Sequence, residues 1–363
     1  MRQRLLLTTD AVGGVWTYSL DLARALAGAE DMVVLLAVLG PPPSNEQMSD
    51  AAAVPGLQLV GTSLPLDWTA GSDEEVLAAA TALAALAREA GADLVQLHSP
   101  ALALADYPAP VVSVVHSCVG TWWDAVKSGP LPDDLAWRSA MVARGLAASA
   151  LVVAPTRAFA AAVQETYALP SLPQAVHNGR HQLAGPAAIP VDYALTAGRL
   201  WDSGKNVAAF DRAAALSRIP FRAAGPLHGP TDSAVRLSYA EALGPLSSEQ
   251  LASLLAERPV FVSAALYEPF GLAVLEAAQC GCALVLADRP GFRELWDGAA
   301  LFVDPLDEHA IAAAVERLVA RPELRGELGD AARARAAHFS PHAMGSAMLD
   351  LYDGLVERQK VAA

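Results

Sequence analysis

The sequence predicts an α/β fold of two domains, each built on a parallel sheet. Three observations carry this. A chain of 363 residues that is 53% hydrophobic can fill two cores. The stretch from Val260 to Leu295 alternates an apolar β-type run, a loop, a helical run and a second apolar run, the βαβ order of an open parallel sheet. The N-terminus repeats that logic with the strand Arg4–Thr9, a Gly13-Gly14 turn and an amphipathic helix over Thr17–Ala27.

Taken in order, Met32–Leu39 reads as a second strand, and Gly40 to Ser44, with three prolines, as a loop. Leu57–Val60 is a third strand, Asp73–Ala90 an alanine-rich helix and Leu94–His98 a fourth strand. Val111–His116 is a buried strand with His116 at its carboxyl end. Trp122 and Trp123 follow in a loop, where they form an apolar platform or cap the helix of residues 133–148. After the strand Leu151–Ala154, Thr156 is an N-cap for a helix over Arg157–Tyr167. Gln182 to Pro190, with Gly185 and Pro186, reads as an interdomain linker, so the domains run over 1–183 and 190–340. The second domain opens with the strand Tyr193–Ala197, a loop from Gly198, and a helix from Asn206 to Leu216. Phe221–Gly225 is a strand and turn, Val235–Leu243 a short edge strand, and Ser247 the N-cap of a helix over Glu249–Ala256. Helices over Asp307–Val319 and Pro322–His338 precede a last helix that starts at Ser340-Pro341 and runs to about Arg358.

The chemistry concentrates in residues 260–295. In open parallel sheets, ligands bind at the carboxyl ends of the strands against helix N-termini. Glu268 lies in such a loop, Glu276 in the helix Leu272–Gln279 that follows, and Phe270, Gly271 and Leu272 offer backbone N–H groups at the helix start. Amides and the helix dipole suit a phosphate, and the flanking carboxylates can accept bonds from hydroxyls, a pairing that describes a nucleotide sugar. Two glutamates with seven residues between them are also what solvated helix ends look like; the βαβ setting favours the site.

The wording Glu268-Pro269-Phe270-Gly271-Leu272…Glu276-Ala277 resembles the E-x7-E signature of family 4 glycosyltransferases of the GT-B fold. Gly198-Arg199-Leu200…Lys205-Asn206 resembles that family's G-R-L-x-x-x-K-N segment, and Asp10 to Trp16 its N-terminal glycine loop. The resemblance implies two Rossmann-like domains facing across a cleft. The last helix, residues 341–363, would cross back onto the N-terminal domain. The donor would lie on the second domain and the acceptor on the first.

The implied reaction is retaining transfer of a sugar from a nucleotide-diphosphate sugar to an acceptor hydroxyl. By resemblance, Arg199 and Lys205 neutralise the diphosphate, with the Gly13 and Gly14 amides and those of Phe270, Gly271 and Leu272. Glu276 reads the ribose, Glu268 the sugar hydroxyls, and His116 touches the sugar. Asp10, Trp16, Trp122 and Trp123 are candidates for the acceptor side. In the absence of the resemblance, His116 reads as a hydrogen-bonded histidine at a strand edge and Gly13-Gly14 as a tight turn. Two cations near a helix start conflict with its dipole unless an anion binds there. Lys205 is one of only three lysines among 25 basic residues, a hint that a compact ammonium matters at this position.

No Asp-x-Asp occurs in the chain, so no metal and no resident cofactor is expected, the nucleotide sugar being substrate. A formal net charge of −14 argues against nucleic acid and favours a soluble acceptor over a lipid carrier. The first apolar run is too short for a signal segment, and no stretch reaches transmembrane length. Three cysteines, Cys118, Cys280 and Cys282, fit a reducing cytoplasm, with packing as their default role. Two other readings stand beside transfer: a nucleotide-sugar epimerase or glycosyl phosphorylase on the same fold, and a non-catalytic nucleotide-sugar binding protein.

Overall fold

The computed structural model describes residues 3–28, 32–183, 189–229 and 233–362. The central part of the expected linker, with Gly185 and Pro186, lies outside the described residues. The chain divides into two compact units, Met1–Gly179 with Ser340–Ala363, and Arg180–Phe339.

The first unit is a seven-stranded parallel sheet. Its strands are β1 (Gln3–Asp10), β2 (Met32–Leu39), β3 (Gln58–Gly61), β4 (Leu94–Leu97), β5 (Val111–Val114), β6 (Leu151–Ala154) and β7 (Gln174–Ala175), in the order β3-β2-β1-β4-β5-β6-β7. Leu5, Leu6 and Leu7 are all fully buried, because helices cover both faces of the sheet and a continuous apolar run is what such a strand needs. Ser72 caps the helix Asp73–Ala90, and Gly91 ends it in the left-handed conformation at φ 61°. The C-terminal helix Pro341–Ala362 belongs to this unit. It buries a stripe of Met344, Met348, Tyr352 and Leu355 in the core with Leu22 and Leu26. Gly345 sits against Ala25, where a Cβ would come within 2.6 Å of the alanine methyl, so a small residue sets this helix–helix distance.

The second unit is a six-stranded parallel sheet. Its strands are β8 (Ala194–Ala197), β9 (Phe221–Ala224), β10 (Glu241–Gly244), β11 (Val260–Ser263), β12 (Leu284–Ala287) and β13 (Ala300–Val303), in the order β10-β9-β8-β11-β12-β13. Separate apolar clusters fill its two faces. Arg325, 8% exposed, bonds Asp192 Oδ1 at 2.7 Å and the carbonyls of Val191 and Arg258, which anchors the helix Pro322–Ala336 to the entrance of the sheet.

Three local expectations are corrected. The edge strand expected over Val235–Leu243 forms only at Glu241–Gly244. The buried Asp211 carboxylate accepts the amides of Ser238, Tyr239 and Ala240, so the backbone there wraps around a side chain instead of joining the ladder. The first helix begins at Gly14 rather than Thr17, because Asp10 Oδ1 accepts the Val12 amide at 2.8 Å and turns the chain early. Trp122 and Trp123 lie on a helix, Val119–Val126, and not in a loop. Among the described residues no helix is long and apolar enough to cross a membrane.

Candidate functional site

In the second unit the site is built at the carboxyl ends of β8 and β11. After β8 the chain turns at Gly198 (φ 142°) and forms a short 3-10 turn over Ser203–Lys205. Asp202 organises that turn: one carboxylate oxygen accepts the Gly204 amide at 2.9 Å, and the other lies 3.5 Å from Arg199 Nη2. The Gly204 carbonyl then accepts the amides of both Leu266 and Tyr267, at 2.9 and 3.1 Å. This clamps the loop after β11 to the turn after β8. Asn206, left-handed at φ 52°, donates from its side chain to the carbonyls of Ala264 and Pro305 and fixes the same junction.

The clamp brings Lys205 and Glu268 together. Lys205 Nζ is ion-paired and hydrogen-bonded to Glu268 Oε2, with side chains only 22% and 16% exposed. Both line a small cavity whose other walls include Gly198, Ser263, Ala273 and Val274. Next to the pair the helix Leu272–Gln279 begins at Gly271, φ 94°, and no side chain caps it. A Cβ on Gly271 would stand 3.3 Å from Glu268 Cγ, so glycine supplies both the left-handed turn and the room for the glutamate. An uncapped helix start and the Lys205 ammonium are the kind of donors that suit an anionic group.

The other expected donor residues are placed less directly. Arg199 is 42% exposed at its side chain, lies over the Trp201 ring at 5.6 Å and is held by Asp202 at 3.5 Å. Phe270 is a core residue edge-on to Phe339, so its ring is committed to packing and does not face a ligand. Glu276 is 8% exposed and paired with Arg180 Nε at 2.7 Å. Arg180 was not a sequence candidate; its carbonyl also accepts the side-chain amide of Gln279, one turn on from Glu276. An arginine next to the His177-Asn178-Gly179 turn carries no local mark of such a partner 96 residues away.

In the first unit, His116 follows β5 and meets two rings. Tyr18 lies edge-on at 4.4 Å between centroids and His98 at 4.7 Å. His116 Nε2 is buried and has no hydrogen-bond partner among the described residues. Burial lowers its pKa to about 3, and lowers that of His98 as well, where His116 adds to the effect, so both imidazoles are neutral near pH 7. His98 ends the strand expected over Leu94–His98 and carries no local mark of a functional role. Gly13, extended at φ −157°, is the N-cap and Gly14 the first residue of the helix Gly14–Ala27. Asp10 is half-buried at the end of β1 and spends one oxygen on the turn. Trp16 is 5% exposed, in the core, with its indole nitrogen unpartnered. That burial removes the ring from any open acceptor surface. Trp122 and Trp123 are half-buried neighbours, 6.4 Å between rings; Trp123 Nε1 donates to Gly129 O at 2.9 Å and Lys127 lies 5.6 Å over Trp122. Among the described residues no group of three His, Cys, Asp or Glu side chains is arranged to hold a metal.

Two family profiles match the chain: Glycosyltransferase Family 4 over residues 12–181, and Glycosyl transferases group 1 over residues 240–335. A D-inositol 3-phosphate glycosyltransferase of Corynebacterium jeikeium (strain K411) is 33% identical over 115 residues, 31% of this chain and 27% of that protein. The matched segments span between 6% and 27% of the lengths of the curated relatives. Among solved structures, the sucrose-phosphate synthase of Thermosynechococcus elongatus superposes with a TM-score of 0.80 at 19% identity, covering 98% of this chain and 100% of that one. Anabaena HepE, solved in complex with UDP-glucose, superposes with a TM-score of 0.75 at 16% identity over 98% and 100% of the two chains. These superpositions show the fold.

Proposed function

Since the chain belongs to the group 1, family 4 glycosyltransferases of the GT-B fold, we propose that it moves a sugar, with retention, from a nucleotide-diphosphate sugar to an acceptor hydroxyl. The observation that carries this is the Lys205–Glu268 pair set against an uncapped helix start. A lysine has three N–H donors, and one goes to Glu268. The others, with Arg199 and the amides from Gly271 onward, oppose the charge that grows on the leaving diphosphate. Positive potential there comes from side chains and backbone, with no step assigned to a metal. Glu268 keeps an oxygen for sugar hydroxyls, and Arg180 orients Glu276 as the ribose contact. In the first unit His116 offers Nε2 to a hydroxyl in neutral form, a hydrogen-bonding role and not that of a proton-bearing acid. The name of HepE's bound donor favours UDP-glucose as the first compound to try.

A thermal-shift panel of UDP-, GDP- and ADP-glucose, followed by product analysis, tests the reading. A true donor at a hundred times its Kd stabilises the fold by about 2.7 kcal/mol. At about 2–4 °C per kcal/mol that is a shift of about 5–11 °C. Donor binding followed by slow donor hydrolysis or acceptor-dependent release of the nucleoside diphosphate supports transfer. Phosphate-dependent release of a sugar phosphate, or change of the sugar without an acceptor, would replace it with phosphorolysis or epimerisation. Binding with no turnover would make the chain a binder.

A further inference from the structure

Behind His116 runs a chain of buried and part-buried hydrogen bonds that starts on the C-terminal helix. The Tyr352 hydroxyl bonds to Gln96 Oε1, across 256 residues of sequence, and both residues are fully buried. Gln96 Nε2 is 2.9 Å from His98 Nε2. His98 Nδ1 is 3.4 Å from Ser19 Oγ, and Ser19 Oγ is 2.7 Å from the carbonyl of Val15, in the first turn after Gly13-Gly14.

The direction of every proton in this chain follows from its last link. Two oxygens 2.7 Å apart, one of them a carbonyl, require the serine proton between them. Ser19 Oγ is then left as an acceptor; Thr9 Oγ1, 3.1 Å away, has the Asp10 carbonyl at 3.3 Å for its own proton, so the serine lone pair that faces His98 accepts a hydrogen bond from Nδ1, which carries the imidazole proton. His98 Nε2 is then an acceptor, which requires the amide nitrogen of Gln96 to face it, and leaves Gln96 Oε1 to take the Tyr352 proton. The opposite polarity would set the Nδ1 lone pair against the serine lone pairs with no proton between them, and would turn the Gln96 amide nitrogen to the buried Tyr352 hydroxyl in place of its acceptor oxygen. The backbone amide of His98 is pinned as well, donating to Thr8 Oγ1 at 3.0 Å. His98 is thus held in one tautomer and one ring plane, with its ring at 82° to that of His116.

We propose that Gln96 and Tyr352 are positioning residues: they fix the tautomer and plane of His98, which with Tyr18 holds the His116 ring so that Nε2 is presented to the reacting sugar. This rests on the functional reading above for its activity arm, whereas the tautomer arm stands alone. The relay ends in the turn behind the glycine loop, so one network ties the C-terminal helix, His116 and that loop within the first unit.

The test uses the full chain labelled with 15N-histidine, the His98 signals assigned by their loss in His98→Asn. Long-range 1H–15N spectra report which ring nitrogen carries the proton. The wild type is expected to show His98 protonated at Nδ1 only. Tyr352→Phe and Gln96→Met are expected to give averaged shifts for its two nitrogens. With UDP-glucose or whichever donor the panel selects, both variants are expected to lose about tenfold to a hundredfold in kcat while the donor KM stays within about twofold, the signature of a misplaced group rather than a lost binding contact. His98 protonated at Nε2 in the wild type overturns the relay. So do variants that keep the wild-type tautomer, or that keep wild-type kcat. Absence of transfer by the wild type counts against the functional reading, and the spectra then decide the relay by themselves.

Discussion

Lys205→Ala separates the two things the lysine does. In the fold it neutralises Glu268, a carboxylate only 16% exposed. Removing the partner of a mostly buried charged group costs about 1–3 kcal/mol. At about 2–4 °C per kcal/mol for a unit of this size, the melting temperature falls by about 2–12 °C. In the proposed reaction the ammonium opposes the charge on the departing diphosphate, and losing one preorganised group of this kind costs about 2.7–4 kcal/mol, or about 100- to 1000-fold in kcat. The double variant Lys205→Ala/Glu268→Gln removes the orphaned charge, because an amide needs no counter-charge. Stability is therefore expected to recover while transfer stays low. The assay pairs differential scanning fluorimetry with initial rates at saturating donor. Turnover by Lys205→Ala within about threefold of wild type, or restoration of transfer in the double variant, would refute the assignment of the lysine to the diphosphate.

Other expected outcomes follow from the same geometry. Arg180→Met removes the 2.7 Å ion pair of Glu276, whose side chain is 11% exposed; a loss of up to about 3–5 kcal/mol in urea unfolding is expected, largely recovered in Arg180→Met/Glu276→Leu. Gly225→Ala would put a methyl 1.8 Å from the carbonyl oxygen of Gly198 at φ 140°, and overpacking of this kind costs about 1–3 kcal/mol before the backbone strain is added, readable as a lower urea midpoint. The buried imidazoles make the fold acid-sensitive. Their folded pKa values lie below the unfolded value, so the unfolded state binds more protons and stability falls as pH drops through the unfolded pKa near 6.5. For His116, at about 3 when folded, the loss from pH 7.5 to 5 is about 2 kcal/mol, and His116→Asn should flatten that slope in denaturant titrations at the two pH values.

Much of the fold was legible because its elements are marked locally. Ser72, Thr156, Ser247 and Asp307 accept the amides of their own first turns, and each helix starts beside the residue that caps it. The strands are continuous apolar runs because both sheet faces are covered. Where a distant side chain took over the backbone, local reading failed: Asp211 holds amides 27 to 29 residues downstream and displaces the start of an edge strand. In the candidate site, Glu268, Gly271 and Lys205 are picked out by spacing, by resemblance to a family motif and by the conflict between cations and a helix dipole. That Lys205 and Glu268 pair is not, since the Gly204 carbonyl that joins their loops belongs to a different βα unit from the amides it receives.

The sequence by itself determined the class of fold, two parallel α/β units, and a short roster of ionisable and glycine residues at strand ends. These follow from periodicity, caps and residue chemistry, which act over a few positions. Tertiary structure alone decided which of those residues meet. It gave Glu276 to Arg180, sent Trp16 into the core, and set His116 between His98 and Tyr18, with a chain of hydrogen bonds from His98 back to Tyr352. Such pairings depend on how far sheet order and helix packing bring separate segments together, and a hydrogen bond spanning 256 residues leaves no periodic trace in the chain that makes it.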